Sequence, residues 1–466
     1  MSNPGPTAVA PSGRRDAGKS RVLVLLVLMA VFLNADNLVL SPNLTAIEHE
    51  FRVTDADIGN ISGLFTIIGA VVSLLWGYLG DKGSRKLLFI LSVLIGEVPC
   101  ALTAFAQNYS QFFWLRILCG IGVGASYPIA FSLVADFFGE KERAKATALV
   151  AAAISLGSVL GMVVGGYGGA VWNWRVPFFL VAAPNFVLAA LFAVSVAEPR
   201  RAMSEDALRE LVEQGFVYPR SIKLSDYKRL FTIRTNLFLF LQGIAGTVPW
   251  GAIPLFLVAY LQRVKGLDLS LATTVFMFFG AGNILGVVLG GLIGGTLYRK
   301  GAARVPVFCG VSTIVGMAMA VMLFQASWLR AYWLIAGLGL VTAVANSVTG
   351  PNVQMMLMNV NVPENRAAIF SIFNLTDSLG TGVGRFVGGW LAELLTIGPA
   401  LTVSSLFWLG CGVFLLILTR LFPRDVDALR RDMRRLAEQM TAGAAEMTAG
   451  AAAPAAPASG PGRAGA

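Results

Sequence analysis

Long, nearly uncharged apolar runs recur along the whole of this 466-residue chain. They limit what it can fold into more than any other feature. A segment of roughly 20 residues, rising 1.5 Å per residue, crosses a hydrocarbon layer about 30 Å thick. That layer offers the backbone no water, so a crossing segment is a helix or a strand of a closed barrel. The runs here are continuous rather than alternating, which selects helices. Twelve candidates lie at approximately 21–42, 56–80, 85–106, 110–137, 145–168, 176–196, 236–261, 271–294, 304–324, 329–350, 366–392 and 399–421. Composition agrees: 56% of residues are hydrophobic, 13% are charged, and mean hydropathy is +0.70. The expected fold class is an all-α membrane protein with twelve transmembrane helices in two six-helix bundles. The first run follows a polar tail and lacks a small-residue cleavage site, so it reads as a retained helix rather than a signal peptide.

Lysine and arginine set the expected orientation. With a cytoplasmic N-terminus and twelve crossings, all but seven of the 36 basic residues fall in cytoplasmic segments. The exceptions are Arg52, Arg116, Arg175, Arg263, Lys265, Arg330 and Arg385. The positive-inside rule therefore predicts a multi-pass protein of the cell (inner) membrane with both termini cytoplasmic. The net charge of +10 is spread over loops that face an anionic leaflet. A nucleic-acid partner would need it clustered on one folded surface. Cys100, Cys119, Cys309 and Cys411 all sit inside predicted helices, without metal-site spacing or a disulfide framework. The single His49 reads as a solvated loop residue. No cofactor or metal is expected.

The predicted organisation is a disordered tail at 1–20, a six-helix bundle at 21–198, a cytoplasmic linker at 199–233, a second bundle at 234–423, an amphipathic surface helix at 424–440 and a disordered tail at 441–466. The linker carries an amphipathic stretch, Ser204 to Gln214. The last segment is Ala/Pro/Gly-rich and cannot bury a core. The two halves are related: residues 140–166 align without a gap onto 363–389. SLGSVLGMVVGG (155–166) meets SLGTGVGRFVGG (378–389), the fifth helix of each half. Parallel six-helix repeats place a substrate site between the halves, near the midplane.

Several short motifs sit at matching places. The turn between helices two and three reads GYLGDKGSRK, and it resembles motif A of the major facilitator superfamily. Gly77 would allow close helix packing. Asp81 would accept from backbone N–H groups at a helix N-terminus of the other half. Lys82, Arg85 and Lys86 complete the motif, which is expected to gate the cytoplasmic side; the alternative is a charged loop that only sets topology. The matching second-half turn, GGLIGGTLYRKG, keeps Arg299 and Lys300 but lacks the acid. RILCGIGVGASYP, from Arg116, resembles motif B. GSVLGMVVGG, from Gly157, resembles the antiporter motif C, with Met162 at its usual proline. WNWRVPFFL (172–180) resembles the entry to helix six. The resemblance spans about 21 to 421.

Within that superfamily the first half is most similar to Spinster-like transporters. LNADNLVLSP follows their first helix, with Asp36 at the acidic position, and GIGVGASYPIAFSLVADFF (120–138) follows their fourth. Asn37 stands where a basic residue is usual, and Val123 where a Glu is usual. The resemblance implies alternating-access transport, with lysolipids and sphingoid lipids as associated substrates.

A charge at the bilayer centre costs roughly 2.5–3.5 kcal/mol on insertion scales, so such residues face a cavity or a partner. Glu97 and Asp377 fall near mid-depth; Asp36, Arg116 and Arg385 lie in the outer half. Asp36 and Arg116 share a level. Asp36 is then either a proton or substrate site flanked by Asn34 and Asn37, or half of a static ion pair with Arg116. Glu97 either takes the coupling role absent at Val123 or sits as a carboxyl in a polar pocket. Arg385 either anchors an anionic head group, its guanidinium being always charged, or snorkels to the surface. Asp377 is the second-half candidate for proton exchange. Asn283, Asn346 and Trp250 would add neutral hydrogen bonds and an aromatic wall.

These readings converge on a secondary active transporter that moves a small organic substrate, amphipathic or anionic, by alternating access. Protons are the expected coupling ion, the bilayer and the small molecule its partners, and a monomer the working unit. The alternatives are a passive facilitator and a membrane ligand sensor that transports nothing. No P-loop pattern is present, nor any nucleophile–His pair, so neither ATP drive nor an enzyme is expected.

Overall fold

The structure is a computed structural model that describes residues 12–124, 126–138, 140–198, 230–326, 331–362 and 366–451. Every regular element among the described residues is helical. The first half comprises α1 (Ser12–Phe51), α2 (Asp55–Lys82), α3 (Arg85–Thr103), α4a (Tyr109–Val123), α4b (Ser126–Phe137), α5 (Glu140–Val163) and α6 (Arg175–Ser195). α5 runs on through a π turn at Val164–Gly168. The second half comprises α7 (Arg234–Arg263), α8 (Leu269–Lys300), α9 (Arg304–Gln325), α10a (Tyr332–Ser347), α10b (Thr349–Val360), α11 (Arg366–Leu395) and α12 (Ile397–Ala451). The two broken helices are the fourth of each half.

Polar caps mark the helix starts. Thr54 and Asp57 form a capping box at the start of α2. Ser84, Asn108 and Asp268 each accept from a backbone N–H of the first turn of α3, α4a and α8. Such caps satisfy donors that have no partner within the helix. Among the described residues, eleven spans are long and apolar enough to cross a membrane. α11, the remaining one, matches them in length but carries Asn374, Thr376, Asp377, Ser378, Thr381 and Arg385. It packs between the bundles rather than against lipid alone, so it tolerates that polarity.

Glycine sets the closest approaches, as is usual where helices associate without a hydrophobic drive. Gly157, Gly161 and Gly165 of α5 lie against the carbonyls of Val31, Ala35 and Val39 of α1. A Cβ added at Gly161 would stand 1.9 Å from the Ala35 oxygen. In the second half, Gly380 and Gly384 of α11 lie against the carbonyls of Ile244 and Val248 of α7, and Gly388 lies against the Ala252 methyl. These are the glycines that the internal repeat aligns. The repeated sequence therefore encodes a repeated helix contact.

The halves meet through α2–α11, α1–α7 and α5–α8. We call the end that carries the N-terminus proximal and the opposite end distal. The residue-level contacts between halves run from mid-depth to the distal end. Gly59 and Gly63 lie against the backbone at Arg385, Gly389 and Gly382. Ser41 donates to the Pro254 and Leu255 carbonyls, at 2.6 and 2.9 Å. At the distal rim Arg263 of α7 pairs with Glu48 and Asp55, and Thr54 donates to Glu393 at 3.2 Å. The molecule is thus sealed at its distal end.

The ends of the chain depart from expectation. α1 begins at Ser12, inside the stretch read as a disordered tail. α12 continues past the last crossing to Ala451, taking in the predicted surface helix and the start of the final tail. Ser204 to Gln214 lies outside the described residues.

Gly161→Val should force α1 and α5 apart. Overpacking of this kind costs about 1–3 kcal/mol, so its melting temperature in detergent should fall below wild type. Gly295→Ala, where nothing lies within 4 Å of the added Cβ, should melt as wild type. Thermal unfolding of the two variants side by side checks this.

Candidate functional site

The first half holds a polar core. Asp36 of α1 is 1% exposed and Arg116 of α4a is 3% exposed. Neither could be left in so dry a setting unpaired. Arg116 Nη1 donates to Asp36 Oδ1 at 2.5 Å, and Nη2 to the Asp36 carbonyl at 3.3 Å. The guanidinium stands 5.0 Å from the Phe65 ring centroid and 5.4 Å from that of Phe178, adding cation–π attraction. Cys100 Sγ donates to Asp36 Oδ1 at 3.0 Å. One turn earlier on α3, Glu97 Oε1 accepts from Asn185 Nδ2 of α6 at 2.5 Å. Asp36 Oδ2 and Glu97 Oε2 have no protein partner. With Cys119 Sγ, which accepts from Arg116 Nη1 at 3.9 Å, two acids, one arginine, two thiols and one amide thus lie together among α1, α3, α4a and α6, each acid with one oxygen uncommitted. Such oxygens can take a proton or a water.

Asn34 and Asn37 are not part of this cluster. Asn34 donates to Ala30 of its own helix at 2.9 Å and packs beside Gly157. Asn37 donates to Asn34 at 3.4 Å.

The second half encloses a cavity of about 270 Å³. It brings together four residues picked out in the sequence: Trp250 of α7, Asn283 of α8, Asn346 of α10a and Asp377 of α11. Gln242, Thr313, Ser347 and Trp408 also line it, and sequence reasoning missed them. Gln242 carried the available signal, an amide inside an apolar run. Trp250 and Trp408 pack edge to face, with centroids 6.0 Å apart. Asn283 donates to Ser347 at 3.1 Å and Asn346 to the Thr342 carbonyl at 2.9 Å. Asp377 Oδ1 and Asn346 Oδ1 are buried without a partner.

Arg385 is absent from that lining. It reaches across the seam to α2, donating to Thr66 Oγ1 at 2.8 Å and to the Ser62 carbonyl at 3.4 Å. The sequence offered a head-group anchor or a snorkelling residue; in this conformation Arg385 is a tie between the halves.

At the proximal turn, Gly77 has only Pro128 near it, at 4.0 Å from an added Cβ. Arg85 pairs with Asp136 of α4b, and Lys86 donates to the Ala193 carbonyl of α6 at 2.6 Å. The Glu198 carboxylate accepts from the backbone N–H of Arg85 at 2.8 Å. The basic pair is therefore tied to its own half. The side chains of Asp81 and Lys82 lie outside the described residues.

Twelve helices among the described residues, a sealed distal seam and buried polar sites in both halves are the marks of a multi-pass carrier. The chain belongs to the Major Facilitator Superfamily, whose family model matches residues 25–346. Among its relatives are Protein spinster of Drosophila melanogaster, 27% identical over 84% of this chain and 65% of that protein, and the sphingosine-1-phosphate transporter SPNS2 of Danio rerio, 24% identical over 83% and 81%. The chain thus spans about two thirds of the fly protein's length. Its fold matches the crystal structure of a bacterial homologue of the human lysosomal transporter Spinster, in an inward-facing and unoccupied conformation. The TM-score is 0.72 at 20% identity, over 91% of this chain and 99% of that one.

Arg116→Met should be among the most damaging changes in the first half, because it strands Asp36. Breaking a buried pair typically costs about 3–5 kcal/mol. The double variant Asp36→Asn/Arg116→Met removes both charges and should recover part of the lost melting temperature. A double variant no more stable than Arg116→Met would show that the pair is not coupled.

Proposed function

We propose that this chain is a secondary active transporter that moves a small amphipathic organic molecule by alternating access, coupled to protons. The observation that carries this is the sealed distal seam beside a cavity that already holds Trp250, Asn283, Asn346 and Asp377. A rocking carrier needs a gate at each end, and the distal gate is closed here. Its parts suit opening and closing: glycine backbones slide without interlocking side chains, and the rim pairs around Arg263 lie at the edge of the seam, where solvent can replace them when it parts. The positive-inside rule makes the proximal end cytoplasmic, so this state faces the cytoplasm, and the protein works as a monomer in the cell membrane. Protons are handled at Asp36 and Glu97 in the first half and at Asp377 in the second. The motif-A residues around Asp81 serve the opposite gate. The likeness to Spinster-type relatives supports an amphipathic ligand.

Accessibility tests transport without knowledge of the substrate. In an Asn283→Cys variant, impermeant maleimide should label from both faces of oriented vesicles, faster from the cytoplasmic face. Cross-linking Thr54→Cys to Glu393→Cys with a reducible reagent should abolish labelling from the outer face alone, and reduction should restore it. Labelling from one face only, unchanged by the cross-link, would instead describe a ligand sensor.

Coupling has its own test. The ligand that most raises the melting temperature, found by screening lysolipids, amines and organic anions, is loaded into proteoliposomes. Glu97→Gln should lose accumulation driven by a pH gradient and keep counterflow exchange. A variant that still concentrates the ligand removes Glu97 from coupling, and a passive facilitator would show no pH-driven accumulation even in wild type.

A further inference from the structure

We propose that the second-half cavity takes a protonated organic amine, held by Asp377 and Asn346 beside the Trp250–Trp408 pair; this rests on the cavity being the substrate site.

No Lys, Arg or His lines the cavity. Its one charged residue is Asp377, which forms no ion pair among the described residues. Arg385, eight residues on along α11, is turned to α2 instead. Of the lining's buried polar atoms, two lack a partner, and both are acceptors: Asp377 Oδ1 and Asn346 Oδ1. Most of the lining's donors are already used within the protein; the Trp250 indole N–H and the Ser347 hydroxyl are neutral donors that stay open to a ligand. Thr247 and Thr313 donate to carbonyls of their own helices and Thr349 to the Asn346 carbonyl of α10a, and Trp408 Nε1 donates to the Gly246 carbonyl at 3.0 Å. The carboxylate is also held in place. A Cβ at Gly243 would stand 2.8 Å from Asp377 Oδ1, so α7 backs the acid closely.

A cavity with spare acceptors, an uncompensated carboxylate and no cation selects a ligand that brings positive charge and N–H donors. An ammonium group meets both needs, because charge-assisted hydrogen bonds are the strong ones. The two indoles add surfaces that attract a cation. An anion would meet a like charge and two bare acceptor oxygens. The volume, about 270 Å³, suits an ammonium on a small apolar body. One carboxylate cannot hold a proton and an ammonium at once. With no cation beside it, the Asp377 carboxylate of the empty cavity takes up a proton; amine entry releases that proton to solvent, and the two species move in opposite directions.

Four probes of one shape separate these features: 2-phenylethylammonium, its N-trimethyl derivative, 2-phenylethanol and phenylacetate. Binding to the full-length protein in nanodiscs is measured by calorimetry. The primary ammonium should bind at least about ten-fold tighter than the alcohol, as expected for a hydrogen bond to a charged group. The trimethyl form, which has charge but no N–H, should fall between them, and phenylacetate should be weakest. Asp377→Asn should make ammonium and alcohol equal. It replaces a buried acid that has no ion-pair partner with a neutral amide, so it should melt no lower than wild type. Gly243→Ala, which crowds the carboxylate without changing charge, should weaken the ammonium and keep the order of the four. The proposal is overturned if phenylacetate binds as tightly as the ammonium, if Asp377→Asn keeps the preference, or if the ammonium fails to bind by about 10 mM. Two-sided labelling of the Asn283→Cys variant alongside any of these would overturn the ligand class and leave transport standing. One-sided labelling with the amine preference intact would overturn transport and leave the cavity's selectivity standing.

Discussion

A charge or bare hydrogen-bonding group inside hydrocarbon must find a partner within the protein or line a wet cavity. The rest of this structure depends on that constraint. Arg116 meets it by pairing with Asp36 between two aromatic rings. Arg385 meets it by donating across the seam to α2. Asp377 meets it by facing a cavity. The backbone meets it by staying helical through nearly every crossing. Where α4 and α10 break, they do so at equivalent places in the two halves, as a fold built from a repeat would.

The same constraint explains why glycine is so prominent. Oil does not drive helices together, so contact energy comes from close packing, and backbones can approach only where side chains are absent. The triplet at Gly157, Gly161 and Gly165 fixes α5 on α1, and its repeat at Gly380, Gly384 and Gly388 fixes α11 on α7. α11 carries further glycines toward α2, where Gly382 and Gly389 meet Gly63 and Gly59. One helix therefore belongs firmly to its own bundle and rests smoothly on the other. Arg385 and Asp377 both ride on α11, the first at the seam and the second at the cavity. Movement of that helix on α2 would couple the seam to the cavity.

Much of this was legible in the sequence. Run length gave twelve crossings, and the motifs gave the superfamily. Counting residues from the helix ends put Asp36 and Arg116 at one depth, and they are in contact. Intramembrane polarity singled out Trp250, Asn283, Asn346 and Asp377, which share one cavity. What stayed hidden depends on the azimuth of one helix against another. Nothing local says that Glu97 faces Asn185, 88 residues away, or that Arg385 points to α2 rather than to the cavity lying a few turns back. Gln242 and Trp408 were passed over because one amide and one indole in apolar runs are ordinary. They matter only once α7 and α12 are set side by side.

The central claim is that the two ends of the molecule open in alternation. Paired spin labels measure this directly. One pair spans the distal end, at His49 and Leu395, and the other the proximal end, at Ser84 and Lys300, all four exposed. Pulsed dipolar distances are taken in nanodiscs across pH, with and without a bound ligand. The account predicts two populations for each pair that change in opposite directions, the distal distance lengthening as the proximal one shortens. Distances that stay single and fixed for both pairs, under conditions where ligand demonstrably binds, would contradict it.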